Sequence, residues 1–177
     1  MSIKRIGIYP GTFNPVHVGH LEFARQAAID TKLDKVYFLP EKQPRGKHNI
    51  PPQRQRASAI DAIIHGSPNL TSLIVDVDQF SVDSTLDLLE QQFSDCQLVL
   101  LIGTDVALTL ASWNKIDKLV DTVEFAIGLR DSENKTDVVR ILEDLEAKYR
   151  LIKTMHSTIR SSQFRTQKPK PRPNCQG

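Results

Sequence analysis

The sequence predicts an α/β fold: a doubly wound, mostly parallel sheet of about five to six strands with helices on both faces. Two observations carry this expectation. Short apolar runs rich in Val, Ile and Leu alternate with helix-length stretches along the chain, a rhythm that implies right-handed crossovers between parallel strands. The runs are also strongly apolar throughout, which suits strands covered on both sides.

The strands are expected at "IKRIGIY" (3–9), "KVYFL" (35–39), "LTSLIVDV" (70–77), "QLVLLIG" (97–103), "VEFAIGL" (123–129) and "RLIKTM" (150–155). Helices are expected between them at 19–31, 52–65, 83–93, 105–120 and 137–148. In "SVDSTLDLLEQQF", Asp83 or Ser84 caps a helix whose apolar face is Leu86, Leu89 and Phe93. In "TDVVRILEDLEAKY", Thr136 or Asp137 caps a helix with Val138, Ile141, Leu142 and Leu145 on one stripe. Two stretches break the rhythm. "PEKQPRGKHNIPPQ" (40–53) is basic and proline-rich, and is read as a surface loop; "RTQKPKPRPNCQG" (165–177) is read as a flexible tail.

With 177 residues, 40% hydrophobic and 25% charged, the chain has the composition of one soluble domain. A formal charge of +2 is too small for a nucleic-acid footprint, and Lys168, Lys170 and Arg172 place much of the surplus in the tail. A small-molecule ligand is expected, with no nucleic acid and no membrane. "MSIKRIGIYP" lacks the apolar core of a signal peptide and no run approaches a membrane span, so the expected compartment is the cytoplasm. Cys96 and Cys175 are too few and too far apart for a zinc cluster or a disulfide framework.

The stretch with most chemistry is "YPGTFNPVHVGHLEFA" (9–24). Gly11 at the end of the first strand lets backbone N–H groups approach a ligand closely. Pro15 stiffens the turn. The N–H groups opening the next helix, with the positive end of its dipole, make an anion site. His17 and His20 stand where both could aim at one phosphate. A strand–turn–helix with incidental histidines remains open as a plainer reading. A metal site is weaker, because two histidines three apart need a third ligand, and neither Cys nor a carboxylate cluster lies near.

"GTFNPVHVGH" closely resembles the Gly-x-Phe-x-Pro-x-His-x-Gly-His signature of the H-x-G-H nucleotidyltransferase superfamily, and the chain looks most like its nicotinate-mononucleotide adenylyltransferases. Three further segments are similar. In "PEKQPRGK", Pro40, Pro44 and Lys47 fall in register with a Pro-x-x-x-Pro-Pro-His-Lys loop. "LIGTDVALTLASWNKIDKL" (101–119) matches an Ile-Gly-x-Asp…Trp segment. "IRSSQFR" (159–165) aligns with Ile-Ser-Ser-Thr-x-Ile-Arg, Ser161 on the second Ser, Ser162 on the Thr and Arg165 on the Arg, while Arg160 replaces the first Ser; a rival register in "HSTIR" makes Arg160 the motif arginine. "FSVDSTL" (80–86) departs from the family's Ser-Tyr-Thr-x-Asp-Thr-Leu, keeping only Thr85 and Leu86.

The resemblance implies a nucleotidyltransferase domain over 1–165 with a basic tail at 166–177. It implies adenylyl transfer from ATP, accompanied by Mg²⁺ on the phosphates, to a pyridine mononucleotide, with nicotinate mononucleotide as the first choice. Nicotinamide-mononucleotide or pantetheine-phosphate adenylyl transfer, and a non-catalytic nucleotide sensor, are the alternatives. His17, His20, Lys47 and Arg165 would act on the reacting phosphates. Gly11, Thr12, Phe13, Gly19, Gly103, Asp105, Ser161 and Ser162 would bind ATP. Asn14, Thr85 and Trp113 would bind the mononucleotide, and no side chains are assigned to a resident metal.

Overall fold

The computed structural model describes residues 3–129 and 134–153. Six parallel strands run β1 (Lys4–Gly11), β2 (Lys35–Pro40), β3 (Leu70–Ser72), β4 (Cys96–Gly103), β5 (Val123–Leu129) and β6 (Tyr149–Lys153), in the sheet order β3-β2-β1-β4-β5-β6. The helices are α1 (Val18–Asp30), α2 (Gln53–Ile64), α3 (Asp87–Gln92), α4 (Thr104–Ala107), α5 (Ile116–Thr122) and α6 (Lys135–Asp144). The chain winds outward from β1 to β3, returns to β4 beside β1, and winds the other way. That is the expected double winding.

The period-2 geometry of a strand sorts side chains onto two faces. Leu98, Leu100 and Ile102 of β4 enter one core with Ile6, Ile8, Phe125, Ile127, Leu89, Leu119, Val138 and Leu142. Val99 and Leu101, pointing the other way, enter a second core with Phe23, Ala24, Ala27, Ile60 and Ile64. Thus α1 and α2 cover one face, while α3, α5 and α6 cover the other. Each of these large side chains stabilises the fold by roughly 1.5–3 kcal/mol relative to exposure. Gly128 leaves room for one of them: a Cβ there would meet the Phe23 ring at 3.0 Å.

Four elements differ from expectation. The last helix, α6, starts at Lys135 after Asn134 as its N-cap, rather than after Thr136 or Asp137, and ends at Asp144. The other three differ more. The third strand stops at Ser72 rather than reaching 77. It is an edge strand paired only with β2; beyond it the Leu73 N–H still donates to Phe38 O (2.8 Å). The chain then leaves the sheet, and the Val75 carbonyl accepts from Gln53 Nε2 (3.1 Å). The helix expected at 83–93 opens as a π turn, Val82–Leu86, in which the Leu86 N–H reaches back to Ser81 O (3.1 Å) before α3 begins. The helix expected over 105–120 is broken into α4, a 3₁₀ turn (Leu110–Ser112) and α5. Ser112 and Thr109 turn their hydroxyls onto the carbonyls of Thr109 (2.7 Å) and Val106 (2.8 Å). Trp113 is extended and Lys115 takes a left-handed φ of 54°, so small polar residues compete with the helix ladder there. The end of the sixth expected strand (154–155) and the tail lie outside the described residues.

Candidate nucleotide site

In a doubly wound sheet the ligand crevice opens beyond the carboxyl ends of the strands where winding reverses. Here that point lies between β1 and β4. Their ladder pairs Lys4 with Cys96 through Ile8 with Leu100; three residues further along each strand stand Gly11 and Gly103. Both glycines therefore open onto the same edge.

The segment after β1 is built around an aromatic cage. Phe13 adopts a left-handed φ of 48°, which costs a bulky residue on the order of 1–3 kcal/mol and persists only where packing over-determines it. That packing is visible: its buried ring meets Tyr9 edge-on at 5.2 Å, Phe38 at 5.5 Å and the His20 imidazole at 5.2 Å, tilted 72°. A Cβ on Gly11 would stand 3.1 Å from the Phe13 ring, so any larger residue would have to push that ring aside by a few tenths of an ångström.

His17 ends the segment in an extended conformation as the N-cap of α1, its carbonyl accepting from the His20 N–H at 3.0 Å. Its own N–H donates to His20 Nδ1 at 3.2 Å. An Nδ1 that accepts leaves the proton of the neutral ring on Nε2, at the opposite corner. The two imidazoles lie 3.7 Å apart, centroid to centroid, with 33° between their planes. The structure thus brings together Gly11, Thr12, Phe13, Asn14, His17, Gly19 and His20 around the first crossover, as the sequence predicts.

Behind this segment sits Arg56 of α2, only 2% exposed. Its guanidinium donates to four backbone carbonyls: Thr12 (2.6 Å), Glu41 (2.5 Å), Lys42 (3.5 Å) and Pro51 (2.9 Å). Burial lowers its pKa, and the charge of Glu41 partly opposes that. Glu41 is itself pushed up by burial, while its hydrogen bond from the Phe80 N–H (3.0 Å) and the charges of Arg45 and Arg56 pull it back. The loop between Glu41 and Pro51 carries Lys47, which is exposed, its N–H donating to Pro44 O at 3.2 Å.

Across the crevice, Gly103 is half-buried and leads into α4 with φ −84°. Thr104 is buried and its hydroxyl donates to Gly128 O (3.1 Å), while Asp105 is exposed in the first turn. Trp113 is half-buried, its ring 6.1 Å from Phe80, its indole N–H donating to Thr109 Oγ1 (3.1 Å). Thr85 departs from expectation. It is fully buried, its hydroxyl donating to Gln79 O and accepting from the Ser81 N–H, both at 3.1 Å. It shapes the 79–85 turn from within and presents no hydroxyl to the crevice. Exposed pairs of Asp83 with Asn114 (2.9 Å) and Lys115, and of Lys118 with Asp87, tie that turn and α3 to α5. Ser161, Ser162 and Arg165, with the rival Arg160, lie outside the described residues. Among the described residues no group of three His, Cys, Asp or Glu is placed to hold a metal ion, and no helix is long and apolar enough to cross a membrane.

Residues 8–167 match the family model described as cytidylyltransferase-like. The nicotinate-nucleotide adenylyltransferase of Bacillus subtilis is 32% identical over 133 residues, covering 72% of this chain and 70% of that protein. The chain belongs to the cytidylyltransferase-like family, on its nicotinate-nucleotide adenylyltransferase branch. A relative from Thermomicrobium roseum, named "Probable nicotinate-nucleotide adenylyltransferase", is 34% identical over 134 residues; the match covers 72% of this chain and 62% of that one, less than two thirds of its length. The fold is shared with the Plasmodium falciparum nicotinic acid mononucleotide adenylyltransferase complexed with NaAD, at a TM-score of 0.73 and 19% identity over 92% of this chain and 82% of that one.

For a member of this family, the residues that sequence reasoning missed are Arg56, Glu41 and Phe80. Arg56 had a signal. It stands four and eight residues before Ile60 and Ile64, which puts a charge on the apolar stripe of α2. Such a charge must find buried partners. Glu41 and Phe80 had none, because their hydrogen bond joins loops 39 residues apart.

Proposed function

We propose that this chain transfers the adenylyl group of ATP to nicotinate mononucleotide, forming the dinucleotide and pyrophosphate, a step of NAD biosynthesis. The observation that carries the reading is the pair of imidazoles, 3.7 Å apart at the start of α1, at the point where the sheet reverses its winding. The names of the curated relatives support the choice of substrates.

A phosphate oxygen of the mononucleotide attacks the α-phosphorus of ATP in line, one P–O bond forms, and the bond to the β-phosphate oxygen breaks with its electron pair leaving on pyrophosphate. The attacking phosphate is already ionised at neutral pH, so no general base is required. Catalysis is then positioning and charge stabilisation. His20 presents Nε2–H to the α-phosphate, oriented by its Nδ1 bond to the His17 N–H; His17 lies against it on the triphosphate. Gly11, Thr12 and Phe13 offer backbone N–H groups, and Gly19 lets the opening turn of α1 come close. Lys47 holds the departing pyrophosphate, together with Arg165, Ser161 and Ser162. Gly103 and Asp105 take the ATP side of the second edge, while Asn14 and Trp113 take the mononucleotide, the indole stacking on the pyridine ring. Thr85 serves this pocket by holding the turn behind it. ATP would carry Mg²⁺ as its counter-ion, which would supply charge neutralisation without a dedicated set of side-chain ligands.

The test is pyrophosphate release with ATP and, separately, nicotinate mononucleotide, nicotinamide mononucleotide and phosphopantetheine. Turnover is expected with the pyridine mononucleotides and fastest with the nicotinate form. Preference for phosphopantetheine, or ATP binding with no turnover on any of the three, would overturn the proposal.

A further inference from the structure

Arg56 makes a pattern of contacts that structural support of α2 alone does not require. Its four carbonyl partners come from three separate segments: Thr12 in the loop after β1, Glu41 and Lys42 at the start of the Lys47 loop, and Pro51 at that loop's end. One planar group therefore closes the base of the Lys47 loop and fastens it to the backbone beside the histidines. The Gly11 carbonyl adds a direct link, accepting from the Glu41 N–H at 3.0 Å. In a trans peptide C=O and N–H point opposite ways, so holding the Thr12 carbonyl also fixes where the Phe13 N–H points.

We propose that Arg56 is a positioning residue for adenylyl transfer, setting the Thr12–Phe13 backbone and the Lys47 loop in one register. This rests on the function proposed above. Arg56 acts through the groups it holds, and its fork is suited to the task because several N–H donors are fixed in one plane. A lysine ammonium is a single point that cannot span three segments. Misplacement of a positioning group by about 1 Å can cost on the order of 10²-fold in rate.

The variant to make is Arg56→Lys, in the full chain. Backbone amides at 12–14 and at 41–50 are expected to exchange with solvent at least about tenfold faster together, while amides of β4 keep their protection and so report an intact fold. With ATP saturating, kcat is expected to fall by about tenfold or more, with KM for nicotinate mononucleotide changed less than about twofold. Wild-type exchange at either segment would overturn the proposal, as would loosening of both segments with kcat unchanged. A merely structural role would lower the protection of β4 along with the loops. If the lysine variant does not fold, the wild type still decides: the two segments must open as one unit with a single denaturant dependence, and separate openings refute the register. If the wild type turns over none of the mononucleotides, the functional reading falls with the catalytic half of this proposal, and exchange alone decides the tether.

Discussion

Two arginines stand at opposite ends of the sheet and solve the same problem differently. Arg5, at the amino end of β1, grips Glu124 of β5 with both terminal nitrogens, at 3.2 and 2.8 Å, and gives Nε–H to Thr31 O at 2.9 Å. Its charge meets a charge, and about 28% of its side chain still touches solvent. Arg56, at the carboxyl end, is almost wholly buried, and among the described residues its hydrogen bonds go to backbone carbonyls. The first arrangement ties strands together and caps the end of α1 at Thr31, beside Lys32 with its left-handed φ of 52°. The second gives up easy hydration to hold irregular backbone in place, beside a left-handed Phe13 and two stacked imidazoles. Buried polar side chains, His17, Arg56, Thr85 and Thr104, gather at one end of this sheet, where chemistry is proposed. The other end is built for stability.

The largest effect expected at the carboxyl end comes from His20→Ala. Losing one preorganised donor costs about 10²–10³-fold in turnover, so pyrophosphate release should nearly vanish while the melting temperature stays close to wild type. Retention of more than about a tenth of the wild-type rate would remove His20 from the mechanism. Lys47→Ala should lower kcat by about tenfold or more, with little change in stability because the side chain is exposed. Unchanged turnover at saturating ATP would take the loop out of the reaction. Gly11→Ala should cost less, several-fold in kcat, because its Cβ presses the Phe13 ring that abuts His20; the check is turnover beside a spectrum of the folded protein.

At the amino end, Arg5→Ala should leave kcat untouched and cost about 1 kcal/mol of stability, the scale of a partly buried bidentate pair. The two ends should also answer acid with opposite signs. The hydrogen bond from Arg5 holds Glu124 below its usual range, so its contribution is present above about pH 4.5 and is lost as pH falls through the folded value. Burial holds Glu41 above that range, so it disfavours the folded state increasingly as pH rises from about 4.5 towards its folded value. Denaturant titrations from acid to neutral pH should therefore show Glu124→Gln and Glu41→Gln changing the slope of stability in opposite directions. Equal or parallel changes would erase the contrast.

Most of the fold was legible because parallel strands buried on both faces leave unbroken apolar runs, as "QLVLLIG" does at β4. The edge strand was overread, since "LTSLIVDV" keeps its apolar character after the ladder ends at Ser72. The broken helix was hidden for a related reason. Ala107, Leu110 and Leu119 all reach the core, so apolar spacing continues through the break while the cause lies in Thr109 and Ser112. That His17, His20, Gly11 and Gly19 share one crossover could be read because all four lie within a single strand–turn–helix segment. Thr85 could not be placed, because whether a hydroxyl faces a cleft or its own turn depends on backbone that forms only in the fold. Arg56 was legible in principle from the stripe it interrupts, but its partners were not, lying 44 residues back at Thr12 and 5 residues back at Pro51.

The central claim is that imidazoles from the first crossover hold the triphosphate. The most direct measurement is a crystal structure of the protein with a non-hydrolysable ATP analogue. His20 Nε2 should stand within hydrogen-bond distance of an α-phosphate oxygen, with His17 beside the chain of phosphates and the Nδ1 bond kept. A triphosphate bound elsewhere, or at the crevice with both rings turned from it, would contradict the account.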